Sequence, residues 1–339
     1  MENRVLTIAV PTFNMEWCLE KNLSTYCDAR LSGKLEVICL NNASEDRSKE
    51  IIEKFVERYP DIYRLVDRNS RGYGSSINSA IATANGKYFR IVDADDWVDT
   101  EELVQLVDAL EACQCDIVLT DYEIVNMQDR SMTPVRVKNR GVHYGEIYHS
   151  FYNPKKTLPS IHATTYKTSL LRNSGFAMQD EIFFVDEEYV VLPYLSAQDV
   201  IYYPFDIYRY QVANPQQSTS PKNRAKYYNH REKILKRLIQ EYHKAQSQGC
   251  LEDKLSYCLE RIQRGIGDHF TTLLIYIEDR KEGRRLAKQW EKYVKRNAPE
   301  FWHSIRKKVQ ILSWMNRFSI SQSRYVQLKD RFYHRKTQG

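Results

Sequence analysis

Arg90-Ile91-Val92-Asp93-Ala94-Asp95-Asp96-Trp97 is an apolar run that ends in three carboxylates. Folding alone gives no reason for such an ending. Carboxylates on alternate residues at the exposed end of a buried strand can hold a hard divalent cation through oxygen. That cation can in turn hold a diphosphate. The blander reading is an acidic turn before a helix, with Asp99 or Thr100 capping the run Glu101–Leu110. An Asp-x-Asp arises by chance about once in a chain of 339 residues, since Asp is roughly 6% of an average composition. Its neighbours therefore have to decide.

Working outward, the first 120 residues alternate strand and helix patterns. Val5–Val10 is a short apolar run closed by Pro11, and Trp17–Leu31 has helical spacing. Leu35–Leu40 is a second apolar run. Asp46–Arg58 follows as a helix with Ile51, Ile52, Phe55 and Val56 on one face. Ile62–Val66, Lys87–Val92 and Ile117–Thr120 read as further strands, and Gly74–Ala84 as a helix stopped by Asn85-Gly86. Strands separated by helices of about 10–15 residues predict an α/β fold with a mostly parallel, doubly wound, Rossmann-like sheet. Ligands of such sheets bind beyond the carboxyl ends of the strands. Pro11-Thr12-Phe13-Asn14, Asn41-Asn42-Ala43-Ser44-Glu45-Asp46 and Asp93-Ala94-Asp95 all follow predicted strands. That placement is harder to get by accident than the carboxylates alone.

With 42% hydrophobic residues the chain can bury a real core, and it holds no run of eighteen apolar residues that could span a bilayer. Met1-Glu2-Asn3-Arg4 leads straight into a strand pattern without the apolar region of a secretory signal. Seven scattered cysteines are too few for a disulfide scaffold, and Cys113-x-Cys115 without a second pair is a poor zinc site. A cytoplasmic, reducing setting is expected. The net charge of +6 hides a split: residues 1–220 carry 22 basic and 32 acidic residues, residues 221–339 carry 28 basic and 12 acidic. Two domains with different jobs are expected, one over 1–220 and a basic α-helical add-on over 221–339, joined near the proline-bracketed segment 214–221. Between Gly141 and Tyr210 the pattern is less regular, with strands at Ile161–Tyr166 and Val200–Tyr203 and a helix at Glu187–Leu195. Beyond Pro221, Lys226–His243, Leu251–Glu278, Glu282–Arg296 and Phe301–Trp314 show apolar residues at helical spacing.

Taken in order, the motifs resemble glycosyltransferase family 2, with its GT-A fold. Val10-Pro11-Thr12-Phe13-Asn14 is similar to the family's opening Pro-Thr-Tyr-Asn, and Asn41-Asn42-Ala43-Ser44-Glu45-Asp46 to its acidic turn. Asn69-Ser70-Arg71-Gly72-Tyr73-Gly74-Ser75-Ser76-Ile77-Asn78 is similar to its Asn-x-x-Gly-x-Gly-x-x-x-Asn segment, and Ala84-Asn85-Gly86-Lys87-Tyr88 precedes the Asp-x-Asp as in the family. The likeness is strongest over residues 4–120 and thins towards 220. It implies a pocket for a UDP-sugar built from Pro11, Thr12, Phe13, Asn14, Asn41, Asn42, Asn69, Gly72, Gly74, Asn78, Asp93 and Ala94. Asp93 would contact the ribose, and Asp95, with Asp93, would bind Mn²⁺ or Mg²⁺ bridging the diphosphate. The family's base-reading Asp is replaced by Asn41 or Asn42, amides that can donate to one base edge and accept from another. Gly72 and Gly74 would let the backbone approach the nucleotide, with the following helix N-terminus favouring an anion; the other reading of the segment is an ordinary turn.

The resemblance also places a Glu-Asp pair beyond the first sheet, matched here with reversed acid types by Asp186 and Glu187. One of them would take the acceptor hydroxyl's proton as it attacks the anomeric carbon; the other reading is helix N-terminal acids balancing the macrodipole. Arg209 or Ser218, in a segment similar to the family's closing loop, would contact phosphate, and Arg209 could equally be a solvated charge. His143, His149 and His162 are further candidates for a metal or acceptor contact, the other and simpler reading of each being a surface or core histidine. The basic tail reads as a helical add-on with an aromatic core, as a peripheral dock on an anionic membrane leaflet, or as a platform for a glycan or glycopeptide acceptor. No nucleic-acid motif accompanies it. Family members with helical extensions elongate bacterial adhesin O-glycans or build capsule polysaccharide, and the layout is similar to both. A homo-oligomer fits either. The expected activity is metal-dependent, inverting hexosyl or N-acetylhexosaminyl transfer from a UDP-sugar. The competing classes are a non-catalytic UDP-binding partner of another transferase and a nucleotidyltransferase, although the loop after the first strand lacks the glycines and cations of the latter.

Overall fold

The computed structural model describes residues 4–137, 141–149, 159–212 and 220–328. The chain divides into two compact units, Met1–Asn214 with Leu251–Lys254, and Pro215–Cys250 with Leu255–Gly339.

The first unit holds β1 (Leu6–Thr12), β2 (Leu35–Asn42), β3 (Tyr63–Arg68), β4 (Tyr88–Ile91), β5 (Trp97–Val98), β6 (Ile117–Asn126), β7 (Met132–Val135), β8 (Ile147–Tyr148), β9 (Thr164–Lys167) and β10 (Val200–Val212). They form one sheet in the order β3-β2-β1-β4-β9-β6-β10-β5, with β7 beside β6 and β8 beside β10. β1, β2, β3 and β4 run parallel, as do β6 and β10, while β9 lies antiparallel between β4 and β6. β1 and β2 are buried along their whole length. Covered on both faces, they show apolar runs without alternation, Ile8–Pro11 and Val37–Leu40, beside the buried polar Thr7 and Glu36. The helices are α1 (Leu19–Ser24), α2 (Ser48–Arg58), α3 (Tyr73–Thr83), α4 (Thr100–Ala112), α5 (Thr168–Asn173), α6 (Asp186–Tyr189) and α7 (Leu192–Ser196). Asp99 caps α4 by accepting from the Glu102 amide. The expectation of an α/β fold with a mostly parallel sheet is met.

Several elements differ from the sequence reading for identifiable reasons. The helix expected over Trp17–Leu31 stops at Ser24, and a separate 3₁₀ turn, Ala29–Leu31, starts where the Asp28 side chain accepts from the Arg30 amide. The strand expected over Ile161–Tyr166 begins as a 3₁₀ turn, Ile161–Ala163. The helix expected over Glu187–Leu195 is two short pieces, the second opened by Pro193 in its first turn. β10 continues nine residues past Tyr203, because the register shift between Tyr203 and Tyr208 lets the strand absorb Pro204 and resume pairing with β6.

The second unit contains α8 (Pro221–Lys226), α9 (Tyr228–Ser247), α10 (Glu252–Thr271) from Leu255 onward, a π turn at Thr272–Tyr276, α11 (Arg280–Asn297) and α12 (Pro299–Arg317). Trp290, Phe301, Phe270 and Tyr257 are buried in its core, and the Trp290 ring stacks on Tyr293 at 5.1 Å. Among the described residues no helix is long and apolar enough to cross a membrane.

Candidate active site

The loops after β1 and β2 are stitched to each other. The Asn14 amide donates to Ser44 Oγ at 3.1 Å, and Asn14 Oδ1 accepts from the Glu45 amide at 2.8 Å. The Met15 and Glu16 amides donate to Ser48 Oγ and Asp46 Oδ2 at 2.8 and 3.0 Å. Asn14 and Ala43 take positive φ values of 53° and 55°, which the cross-links hold in place. Pro11 and Thr12 are buried at the end of β1, and Phe13 lies under the Arg71 guanidinium, 4.4 Å from its ring centre. Asn41 and Asn42 are both buried. Asn41 Nδ2 donates to Asp67 Oδ1 at 2.7 Å, and Asn42 Oδ1 accepts from Ser76 Oγ at 2.6 Å. Asp67 stands opposite Asn41 in register on β3, and its second oxygen holds Lys49 at 2.7 Å. A carboxylate thus stands beside Asn41 at the end of the neighbouring strand.

The acidic turn after β4 is fixed by two side chains. Asn22 Nδ2 donates to the Asp93 and Asp96 carbonyls at 3.1 and 2.8 Å. The Tyr208 hydroxyl donates to Asp96 Oδ2 at 2.6 Å and accepts from the Asp93 amide at 3.2 Å, while the Gln211 amide donates to Asp96 Oδ1 at 2.7 Å. Asp96 thus ties the turn to β10. Asp93 Oδ1 accepts from the Tyr73 hydroxyl at 2.9 Å. Among the described residues, Asp93, Asp96 and His162 have ligand atoms within 4.8 Å of one another. His162 enters through its turn before β9, where its carbonyl accepts from the buried Arg90 guanidinium and its ring stacks 4.0 Å from that of Tyr210. Asp95 is half-buried beside this group, and Cys18 Sγ donates to the Ala94 carbonyl at 3.4 Å.

The electrostatics of the turn run against ionised carboxylates. Burial, then the charge of Asp95 and more weakly that of Asp186, pushes Asp93 up to about 7, while the Tyr73 hydrogen bond pulls it back. Asp96 is raised well above its ordinary value by burial and by Asp95 and Asp93, and Asp95 is raised by burial. Burial and Arg90 push His162 down to about 3, so its imidazole is neutral at neutral pH and able to ligate. Two carboxylates and a neutral imidazole within this reach could hold a divalent metal, whose charge would favour the ionised form of both carboxylates.

The segment before α6 closes the far side. Gly72 sits at φ 150°, a backbone region open to glycine, at the start of α3. The Ser75 amide donates to Asp180 Oδ1 at 3.1 Å, so the anion at this helix N-terminus is the chain's own carboxylate, where the sequence offered it to a phosphate. Asn78 uses both ends of its amide on the Met178 backbone, at 2.9 and 2.8 Å. A Cβ on Gly74 would stand 2.0 Å from the Gln179 carbonyl oxygen. Buried Glu188 accepts from the Gln179 amide and side chain at 2.8 and 2.6 Å. These contacts set α6, whose Asp186 is exposed and whose Glu187 is half-buried. The charge of Asp186 reaches Asp93, Tyr73 and Tyr210. Arg209 commits its donors to Asp99 at 3.0 Å, Glu123 at 3.3 Å and the Asp206 carbonyl. Asn69 is exposed at the end of β3, and Ser218 lies outside the described residues.

The model of the family described as "Glycosyl transferase family 2" matches residues 7–178, half of the chain. The chain belongs to glycosyl transferase family 2. The uncharacterized glycosyltransferase EpsJ of Bacillus subtilis is 26% identical over 186 residues, 54% of each chain. The poly(ribitol-phosphate) beta-glucosyltransferase of Bacillus spizizenii is 28% identical over 124 residues, 36% of this chain and 19% of that one. The chain thus spans about half or less of the length of these relatives. Among solved structures, Staphylococcus aureus TarS 1–349 in complex with UDP-GlcNAc superposes with a TM-score of 0.65 at 16% identity, over 93% of this chain and 92% of that one. The fold is GT-A with a helical C-terminal region.

In this family 2 chain the groups that sequence reasoning missed are Tyr73, Asp67, Asp96, Asp180 and Tyr208. Tyr73 and Asp180 sit in or beside motifs that were read for their glycines and acids. Tyr208 stood in the segment similar to the family's closing loop, but its bond to Asp96 was not legible, because it depends on β10 running past Pro204. A cavity of about 940 Å³ opens at the other end of the sheet, lined by Lys34, Lys87, Lys167 and Arg172 among others. Its cations serve the fold. Lys87 holds the Leu110 and Glu111 carbonyls at the end of α4, and Arg172 those of Ile81, Ala82 and Ala84 at the end of α3.

Proposed function

We propose that this chain transfers a sugar, with inversion, from a UDP-sugar to a hydroxyl of a glycan acceptor, in a reaction that depends on Mn²⁺ or Mg²⁺. The observation that carries the reading is the cluster of Asp93, Asp96 and His162 at the carboxyl end of the sheet, with Asp95 beside it and Asp186 near enough to perturb Asp93. The family supports glycosyl transfer, and the UDP-GlcNAc held by TarS supports a uridine diphosphate donor.

Asp93, Asp95, Asp96 and His162 would hold the metal, which when bound neutralises charge developing on the departing diphosphate. Asn41, Asn42 and the stitched loops after β1 and β2 offer the nucleoside a rigid edge of donors and acceptors. Asp186 is the base: its carboxylate accepts the acceptor hydroxyl's proton as that oxygen bonds to the anomeric carbon. The bond from the anomeric carbon to the diphosphate oxygen breaks with its electron pair leaving on UDP. Glu188, bonded to Gln179, fixes the short helix that carries Asp186 and Glu187.

Asp186→Asn tests the assignment. Turnover should fall at least a hundredfold, in keeping with loss of general base catalysis, while UDP binding by calorimetry stays within about threefold of the parent. Equal turnover in the variant sinks Asp186 as the base.

A further inference from the structure

α12 has two apolar faces. Phe301, Ile305, Val309, Leu312 and Met315 are buried in the core of the second unit. Ile311, Trp314 and Phe318 follow at spacings of three and four, which puts them together on the opposite side of the helix. They are 60%, 58% and 60% exposed, and the Trp314 and Phe318 rings lie 4.6 Å apart. More than half of each of these three side chains stays outside the core that Trp290 and Phe301 fill. Lys307 and Arg317 share the outward face, Arg306 flanks it, and all three are exposed. From Phe301 to Leu328 the sequence contains Arg306, Lys307, Lys308, Arg317 and Arg324 and not one Asp or Glu. Lys308 is the member turned inward, to Asp268 at 3.0 Å.

We infer that the outward face of α12 docks on an anionic lipid surface, with Ile311, Trp314 and Phe318 in the headgroup and acyl boundary and Lys307, Arg317 and Arg306 on the phosphates. Large aromatics beside Lys and Arg on one helix face are the pattern that settles at a membrane interface. Charge selects this occupant over a second copy of the chain. Two such faces brought together would set Lys307 and Arg317 against cations, with no carboxylate from Phe301 to Leu328 to answer them. A lipid leaflet supplies both the apolar layer and the negative charge.

The test is sedimentation of the full-length protein with vesicles of phosphatidylcholine alone and of phosphatidylcholine with a quarter phosphatidylglycerol, at low and high salt. No sugar donor is present, so the result is independent of the catalytic reading. Binding should need the anionic lipid and weaken with salt. Each cation near the surface is worth about a fivefold change in partitioning, so Lys307→Glu with Arg317→Glu should lose well over twentyfold. Trp314→Ser with Phe318→Ser should lose at least tenfold with an unchanged melting temperature. The parent's tryptophan emission should shift to the blue on the vesicles, and Trp314→Phe should lose most of that shift. Binding that ignores the anionic lipid, or variants that sediment like the parent, overturn the inference. So does a parent that stays off all vesicles. A dimer in solution that Trp314→Ser with Phe318→Ser converts to monomer, with no vesicle binding, would assign the face to self-association.

Discussion

Replacing Asp93 by asparagine should make the metal-free protein more stable at neutral pH while removing its activity. The carboxyl is pushed from 3.8 up to about 7 by burial and by Asp95 and Asp186. A folded value above the unfolded one means that folding disfavours the ionised form. Below about pH 4 Asp93 is protonated in both states, and parent and variant should differ little. As pH rises from 4 to 7 the unfolded chain ionises while the folded one does not, and the parent should lose about 1.4 kcal/mol per pH unit relative to the variant. Above pH 7 the difference becomes constant. Three units set a ceiling of roughly 4 kcal/mol, and relaxation with water entry brings the expected gain to about 2 kcal/mol. That corresponds to a melting temperature about 4–8 °C higher at pH 8. The substituted amide keeps an oxygen for the Tyr73 hydroxyl, so the local geometry survives. Thermal unfolding of both proteins from pH 4 to pH 8, with chelator, measures the effect. Mn²⁺ should then stabilise the parent more than the variant. A variant no more stable than the parent at pH 8, or a difference that does not change with pH, refutes the account of the cluster.

Restoring an acid on β2 should harm the protein. Asn41→Asp sets a carboxylate against Asp67, now 2.7 Å from the amide it would replace; stability should fall by about 1–3 kcal/mol and UDP binding should loosen, while adding Asp67→Asn rescues both. A single variant that binds UDP as well as the parent would show that Asp67 does not stand behind Asn41. Gly74→Ala drives a Cβ to 2.0 Å from the Gln179 carbonyl oxygen, which is backbone and cannot turn away. Urea unfolding should show a loss of about 2–3 kcal/mol or more, and donor hydrolysis should fall because Asp180 and α6 hang from the same contact. Parent-like stability in Gly74→Ala contradicts the close packing of α3 on residues 178–180.

The ends of β1, β2 and β4 were legible because buried parallel strands leave continuous apolar runs and their polar endings stand out. The four motifs in order were enough to reach the family and its fold. The partners of those motifs were less legible, since each depends on elements far away in sequence. His162 meets Asp93 because β9 lies next to β4, and Tyr208 meets Asp96 because β10 bulges and continues. Arg209 looks free in sequence, yet the same continuation puts it between Asp99 and Glu123. Asp180 was hidden for another reason: a carboxylate before a turn carries no sign that it will cap a helix a hundred residues upstream. The outward face of α12 was masked by its own periodicity, because Trp314 fits the helical apolar pattern as well as Leu312 does.

The most direct test of the central claim is slow hydrolysis of the donor. The pure protein is incubated with Mn²⁺ and a panel of nucleotide sugars, without acceptor, and free nucleotide is measured. The account predicts UDP release from one UDP-sugar, abolished by chelator and by Asp95→Ala. Undiminished release by Asp95→Ala or in chelator, or release only from donors carrying another base, would contradict it.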